Sequence, residues 1–301
     1  MQKTLKVVTG VVIGIAVLVG LVALAAGWIA ERKRTRIIEI DVTPVAFATD
    51  EVSVRRGEYL YRSRGCMECH GTSGAGREVV NDGAGMYIKS PNISTGAGSV
   101  VKGYSETDWV RTIRHGITPQ RRPMTLMPSR DYSNMTDADL AALVAYVRSL
   151  QPVEGSAAII REPLMVRALY AVGMIKDDAE TIDHARKPPA PIPEAVTPEH
   201  GRYVANMCTG CHGDGFSGGK IPGTPPDWPS AANLTPGSGS AMPVYDNADK
   251  FGTMLRTGKR PDGSPVSPVM PFETLRNLNA TDVGALYVFL RTLPPRPAGG
   301  R

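Results

Sequence analysis

Two short stretches carry residues with a definite chemistry: Cys66-Met67-Glu68-Cys69-His70 and Cys208-Thr209-Gly210-Cys211-His212. In each, two thiols stand about one helical turn apart and a histidine follows the second. Both sulfurs can then form thioethers to the vinyl groups of one porphyrin while the histidine turns back to ligate iron. The pattern points to two covalently bound c-type haems, with Cys66, Cys69, Cys208 and Cys211 as attachment residues and His70 and His212 as iron ligands. Other uses of paired cysteines do not fit. A zinc ribbon sets its pairs roughly 15–20 residues apart and does not need the histidines, whereas these pairs lie 142 residues apart. A thioredoxin-like motif wants one pair in a β-α-β setting, and disulfide bonding gives the histidines no role. The two motifs use all four cysteines of the chain.

The opposite axial position decides whether such an iron shuttles electrons or binds a substrate. Met127 and Met270 each precede a proline, 57 and 58 residues after the histidine of their own half. Most methionines in a helical protein fill core space, the reading given to Met86, Met124, Met135, Met242 and Met254. Recurrence at near-equal spacing sets Met127 and Met270 apart as the second axial ligands. A histidine–methionine iron stays low-spin, changes by one electron with little rearrangement and sits on the high-potential side of the haem range. His115, matched by Thr257, together with His184 and His200 read as surface or propionate-side residues. Arg114 and Arg256 recur, each either as a solvated helix charge or as a charged hydrogen bond to a haem propionate. No general base, nucleophile or substrate pocket stands out, so the expected role is electron transfer and not catalysis.

Positioning these residues requires two similar helical units. A short helix beginning near Gly57 delivers Cys66 and Cys69, and Thr136 caps a later helix whose Leu140, Leu143, Val144, Val147 and Leu150 share one face before Pro152. Asn279 opens the matching helix, with Val283, Leu286, Tyr287, Leu290 and Leu293 ahead of Pro294-Pro295. Between cysteines and final helix, Trp109, Ile113, Arg114 and Gly116 return as Phe251, Leu255, Arg256 and Gly258, and Asn92-Ile93 returns as Asn233-Leu234. This is an internal duplication. The 32 glycines, 25 prolines and five phenylalanines suit loop-rich domains whose interior is completed by a porphyrin.

The first thirty residues differ. Val7 to Ala30 runs 24 residues without a charge, enough to cross a bilayer, with Trp28 as an interfacial aromatic and Glu31-Arg32-Lys33-Arg34 closing it. An uncleaved anchor fits better than a signal peptide cut near Ala23-Leu24-Ala25, because the apolar run is long and a basic cluster follows it. Haem c is attached outside the cytoplasm, so Arg32, Lys33, Arg34 and Arg36 fall on the side that the positive-inside rule leaves bare. The chain divides into residues 1–36 as anchor, 37–56 as extended tether, 57–152 as first domain, 153–199 as interdomain helix and proline-rich linker, and 200–301 as second domain. The apolar stretch from Ile159 to Ile175 reads as a helix packed across the two domains, or as a docking surface for another protein or the membrane. A net charge of +5 with no strongly basic face excludes a nucleic-acid partner.

From Gly57 to Pro295 the chain resembles the membrane-bound multihaem cytochrome c subunits of bacterial alcohol, aldehyde and gluconate dehydrogenases. The resemblance is carried by Asn92-Ile93-Ser94, by Tyr104-Ser105-Glu106 leading through Trp109 to Arg114-His115-Gly116-Ile117, by Met127-Pro128-Ser129 and by Asn134-Met135-Thr136-Asp137. In the second copy it is carried by Arg260-Pro261-Asp262-Gly263-Ser264-Pro265 and Met270-Pro271. The chain differs in having two haem motifs in place of three and an anchor at its start. The resemblance implies a mainly α fold, with two tandem class I cytochrome c domains after an N-terminal transmembrane helix. It also implies an electron-transfer subunit on the periplasmic face of a bacterial inner membrane. Its expected partners are a dehydrogenase or other redox subunit and a periplasmic or membrane acceptor in the respiratory chain. A carrier between a quinol-oxidising complex and a terminal oxidase is the nearest alternative. A dihaem peroxidase is the alternative of a different class; it needs one iron able to lose its sixth ligand, and the paired methionines argue against that.

Overall fold

The computed structural model describes residues 2–221, 224 and 227–301. Its first element, α1 (Gln2–Arg34), is apolar on every side, and Val7 through Ile29 expose their large side chains all round the helix. Among the described residues it is the one helix long and apolar enough to cross a membrane, and such a surface has its natural partner in lipid. Only near its C-terminal end does α1 meet protein, where Ala30 is fully buried.

The rest is mainly helical and doubled. The first half contains α2 (Glu51–Ser63), α3 (Cys66–His70), β1 (Glu78–Asn81), β2 (Tyr87–Lys89), α4 (Glu106–His115), α5 (Ser129–Tyr132) and α6 (Asp137–Ser149). Then come β3 (Ile159–Arg161) and α7 (Leu164–Ala171), followed by the second half: α8 (Pro198–Ala205), α9 (Thr209–His212), α10 (Ala248–Thr257), α11 (Phe272–Leu275) and α12 (Ala280–Thr292). Helix starts follow the capping rule. Thr136 accepts from Asp139 N at 3.1 Å, Asn279 from Asp282 N at 2.8 Å, and Ser105 and Asp108 close a capping box on α4. Gly116 and Gly258, with φ of 65° and 70°, end α4 and α10 in the left-handed conformation that a side chain resists.

Each half has its own core. Leu60, Trp109, Ile113, Leu140, Leu143 and Val147 are buried in the first, and Val204, Phe251, Leu255, Val283, Leu286 and Leu290 in the second. The first and last helices of each half cross at a glycine. A Cβ on Gly57 would overlap the Ala142 carbonyl, and one on Gly201 the Ala285 carbonyl. The loops repeat as well: Asn92 donates to the carbonyls of Ala97 and Val153, and Asn233 to those of Ser238 and Arg296.

Three boundaries differ from the sequence reading. Helix α2 starts inside the stretch read as tether, at Glu51, because Asp50 caps it by accepting from Ser53 N at 2.8 Å. The extended residues before it are docked on the first half: Val42, Val45 and Phe47 pack on its core, and Ile38 N donates to Arg121 O at 2.8 Å. The first half also runs past residue 152, since Ser156 O accepts from Asn92 N at 2.8 Å. Finally, Ile159 to Ile175 is not one helix across the domains. Ile159 and Ile160 pair with β2 in an antiparallel sheet of order β1-β2-β3, Pro163 holds the chain extended before α7, and α7 packs on α1.

Candidate haem-binding sites

Each attachment motif follows the first helix of its half: Cys66–His70 forms the one-turn α3, whereas Cys208 ends a 3-10 turn, Asn206–Cys208, that leads into α9. Gly65, at φ 90°, turns the chain out of α2 so that Cys66 opens α3, and Gly71, at φ 74°, ends it. Tyr61 donates to Gly71 O at 2.6 Å and Ser90 to Cys69 O at 2.5 Å, which pins the turn. His70 Nδ1 lies 3.1 Å from Pro91 O, and His212 Nδ1 lies 2.8 Å from Ala232 O. A carbonyl only accepts, so Nδ1 carries the proton in both rings and Nε2 keeps its lone pair. Burial pushes both imidazoles below the usual histidine range, which favours the neutral form that a metal ligand requires.

The four cysteines form no disulfide. Burial pushes Cys66 up to about 12, with Cys69 adding to it, and Cys208 up to about 12, with Asp131 adding to it. A nucleophilic or redox-active cysteine needs a depressed value, so these thiols are poised against thiolate chemistry. An uncharged thioether suits such surroundings. The donor set therefore fits a covalently attached haem: two cysteines on one turn, and a histidine with its tautomer fixed and Nε2 free.

The methionine turns are alike in detail. Ser129 N donates to Met127 O at 2.8 Å and Phe272 N to Met270 O at 2.8 Å, across Pro128 at φ −77°, ψ 62° and Pro271 at φ −78°, ψ 70°. Met127 and Cys66 both border the first core, and Met270 and Cys208 both border the second. Met135, Met242 and Met254 are buried, as core filling requires. The arginines recur in sequence but not in surroundings. Arg114 is buried and donates to Met135 O and Asp137 at 2.8 Å each, whereas Arg256 is exposed and donates to Thr253 at 3.3 Å. His115 and His200, read as surface or propionate-side residues, are buried. His115 faces His184 at 3.1 Å and His200 meets Asp282 at 2.7 Å.

A reciprocal joint between the halves brings the sites together. Glu68 in the first motif accepts from Thr274 of α11 at 2.7 Å. The matching residue of the second motif, Gly210, lies against Asp131 of α5, whose carboxylate would stand 3.3 Å from a Cβ there. Each attachment helix thus abuts the helix that follows the methionine turn of the other half. Tyr59, Tyr203, Asp139, Asp282 and Arg64 hold this joint, and sequence reasoning missed them. The signal was present: Gly57-Glu58-Tyr59 and Gly201-Arg202-Tyr203 are the same tripeptide pattern, visible once the copies are aligned on their glycines.

Comparison with known proteins agrees with this geometry. Residues 52–147 match the family described as cytochrome c oxidase, cbb3-type, subunit III. The chain is 24% identical over 286 residues to the fructose dehydrogenase cytochrome subunit of Gluconobacter japonicus, covering 86% of this chain and 56% of that one. It is 29% identical to the gluconate 2-dehydrogenase cytochrome c subunit of Pantoea cypripedii, covering 56% and 40%. It is 32% identical to a dihaem c-type cytochrome of Cereibacter sphaeroides, covering 44% and 46%. The chain spans about half the length of the curated relatives it matches. Motif, fold and relatives agree in likening the chain to the multihaem cytochrome c subunits.

Proposed function

We propose that this protein is a membrane-anchored dihaem cytochrome that passes single electrons on the periplasmic face of a bacterial inner membrane. The donor is a dehydrogenase subunit and the acceptor a component of the respiratory chain. Cys66 and Cys69 would hold one haem, with His70 and Met127 as its iron-binding residues; Cys208 and Cys211 would hold the other, with His212 and Met270. Haem c supplies a one-electron iron couple when bound. The chain orients each imidazole through a carbonyl at Nδ1 and offers a thioether from a proline-braced turn.

The observation that carries this reading is the reciprocal packing of α3 on α11 and of α9 on α5. It draws both attachment helices and both methionine turns to one joint, an arrangement suited to a relay and of no use to two independent carriers. Arg114, already engaged by Met135 and Asp137, is assigned no propionate contact; Arg256 has its guanidinium exposed for one.

The periplasmic side follows from covalent haem attachment. The basic residues on that side have a structural use in the folded protein, since Lys33 pairs with Glu180, Arg34 with Glu162 and Arg36 with Asp177. The dehydrogenase partner is inferred from the names of the relatives. The decisive test is a pyridine haemochrome assay on full-length protein made with a haem c maturation system. Two covalent haems per chain are expected, and one or none would overturn the proposal.

A further inference from the structure

The short helix α7 and the turn after it expose an apolar face that neither half covers. Leu164, Met165, Val172 and Met174 are 52%, 69%, 71% and 73% exposed within eleven residues. Burying such side chains is favourable, so a cluster of four facing water is costly.

What lies beside this cluster identifies its occupant. The other side of α7 packs on the last turns of α1: Tyr170 is buried, Lys33 Nζ sits 4.3 Å from its ring centroid and donates to its carbonyl at 3.2 Å, and Ala30 is fully buried. Between Leu21 and Ala30 of α1, Ala23, Ala26, Gly27 and Ala30 are the residues withdrawn from solvent, and the Arg167 guanidinium comes within 4.0 Å of a Cβ position on Gly27. A face of small residues lets a second helix approach closely. Lys33–Glu180 at 2.8 Å and Arg36–Asp177 at 2.8 Å, with the Arg34–Glu162 pair, then clamp the segment to α1 on both sides of α7.

The height of α7 is thereby fixed to that of residues 23–34 of α1, where the apolar run gives way to charge. Trp28 stands at this level, 61% exposed, with the Arg32 guanidinium 4.9 Å from its ring centroid. Tryptophan and arginine so placed mark the boundary between acyl chains and headgroups.

We propose that residues 164–174 form an interfacial membrane segment, Leu164, Met165, Val172 and Met174 entering the headgroup–acyl boundary beside α1. This rests on the reading of α1 as a membrane span. It gives the haem domains a second point of attachment, so that they sit at a set height and tilt above the bilayer instead of swinging on one helix.

The test uses full-length holoprotein in phosphatidylcholine nanodiscs doped with a phospholipid carrying a photoactivatable diazirine high on one acyl chain. Cross-linked peptides are mapped by mass spectrometry. Labelling of the 164–174 peptide is expected at least about fivefold above that of the peptide containing Val244, an exposed apolar control on the second half. A Met165→Asp/Met174→Asp variant should lose that label while α1 keeps its own. Label in α1 with 164–174 no higher than the Val244 peptide overturns the inference and leaves the anchor standing. No label in α1 overturns the anchor and this inference with it.

Discussion

Tyr59 of α2 donates its hydroxyl to Asp282 of α12 at 2.6 Å, joining the first half of the molecule to the second. The mirror contact exists too, Tyr203 of α8 to Asp139 of α6 at 2.6 Å. Each tyrosine stands two residues beyond the glycine where its half's helices cross, and each aspartate three residues into its helix's capping turn. Duplication alone therefore made this surface self-complementary, in the manner of a two-fold dimer. The same operation sets each attachment helix against the other half, so the joint that holds the halves together also gathers the two motifs that would bind haem. The joint is not fully symmetric. Asp282 also receives Arg64 at 2.7 Å and His200 at 2.7 Å, whereas Asp139 receives Arg56 at 2.8 Å.

Tyr59→Phe and Tyr203→Phe should each destabilise the holoprotein by about 1–3 kcal/mol, because each leaves a buried carboxylate short of a donor. The backbone N–H of Asn279 or Thr136 also loses the hydroxyl it points at. The measurement is the guanidinium midpoint at pH 7. A Tyr59→Phe/Asp282→Asn double variant should lose less than the sum of its parts. Strict additivity would mean that the two residues do not meet in solution.

Gly57→Ala and Gly201→Ala should be more damaging, about 3 kcal/mol or more each, since backbone carbonyls and not flexible side chains occupy the space a methyl needs. Gly103→Ala is the control. Its φ of 86° strains a side chain, but nothing lies within 4 Å, so a cost of about 1–2 kcal/mol is expected. Thermal midpoints of the three holoproteins should fall in that order. Gly57→Ala matching Gly103→Ala would show that the helices do not cross there.

The haem motifs, final helices and duplication were legible because each depends on local pattern: a pentapeptide, a 3.6-residue period with a cap, and a repeat. The breaks in the 153–175 stretch were not. Ile159-Ile160 is apolar enough for either helix or strand, and pairing with β2 decided the matter. Asp50 was overlooked as a cap because no apolar period follows it. His200 looked like a linker residue because nothing near it in sequence announces Asp282, which lies 82 residues away. Contacts across the joint are long-range, and only aligning the two copies makes them readable.

Stability should fall as pH drops from about 6.5 towards about 4, through His115. Burial, then His184, Arg114 and Arg111, hold His115 down to about 4 from the usual 6.5. His184 Nε2 donates to Ala179 O at 2.9 Å, so its Nδ1 accepts from His115 Nδ1–H, and a further proton on His115 must sit at Nε2 as a buried charge beside Arg114 and Arg111. In this window the unfolded chain binds the proton and the folded one does not, so ΔG of unfolding rises with pH and the contribution is complete above about 6.5. Denaturation midpoints at pH 7 and pH 5 should differ less in His115→Gln than in the parent. An equal difference would remove His115 from the pH response.

Met270→Ala should convert one haem to high spin and leave the other unchanged, and Met127→Ala should do the same to its partner. Each thioether comes from a turn braced within its own half, by Phe272 N on Met270 O and Ser129 N on Met127 O, and truncating one methionine side chain leaves the other turn's brace in place. Because a thioether favours ferrous iron, the altered haem should also shift to lower potential. Optical and paramagnetic spectra of the oxidised and reduced proteins follow both changes in one sample. A spin state that survives Met270→Ala would remove that residue from the ligand set. A double variant that keeps one low-spin haem would direct the search to another side chain at the joint.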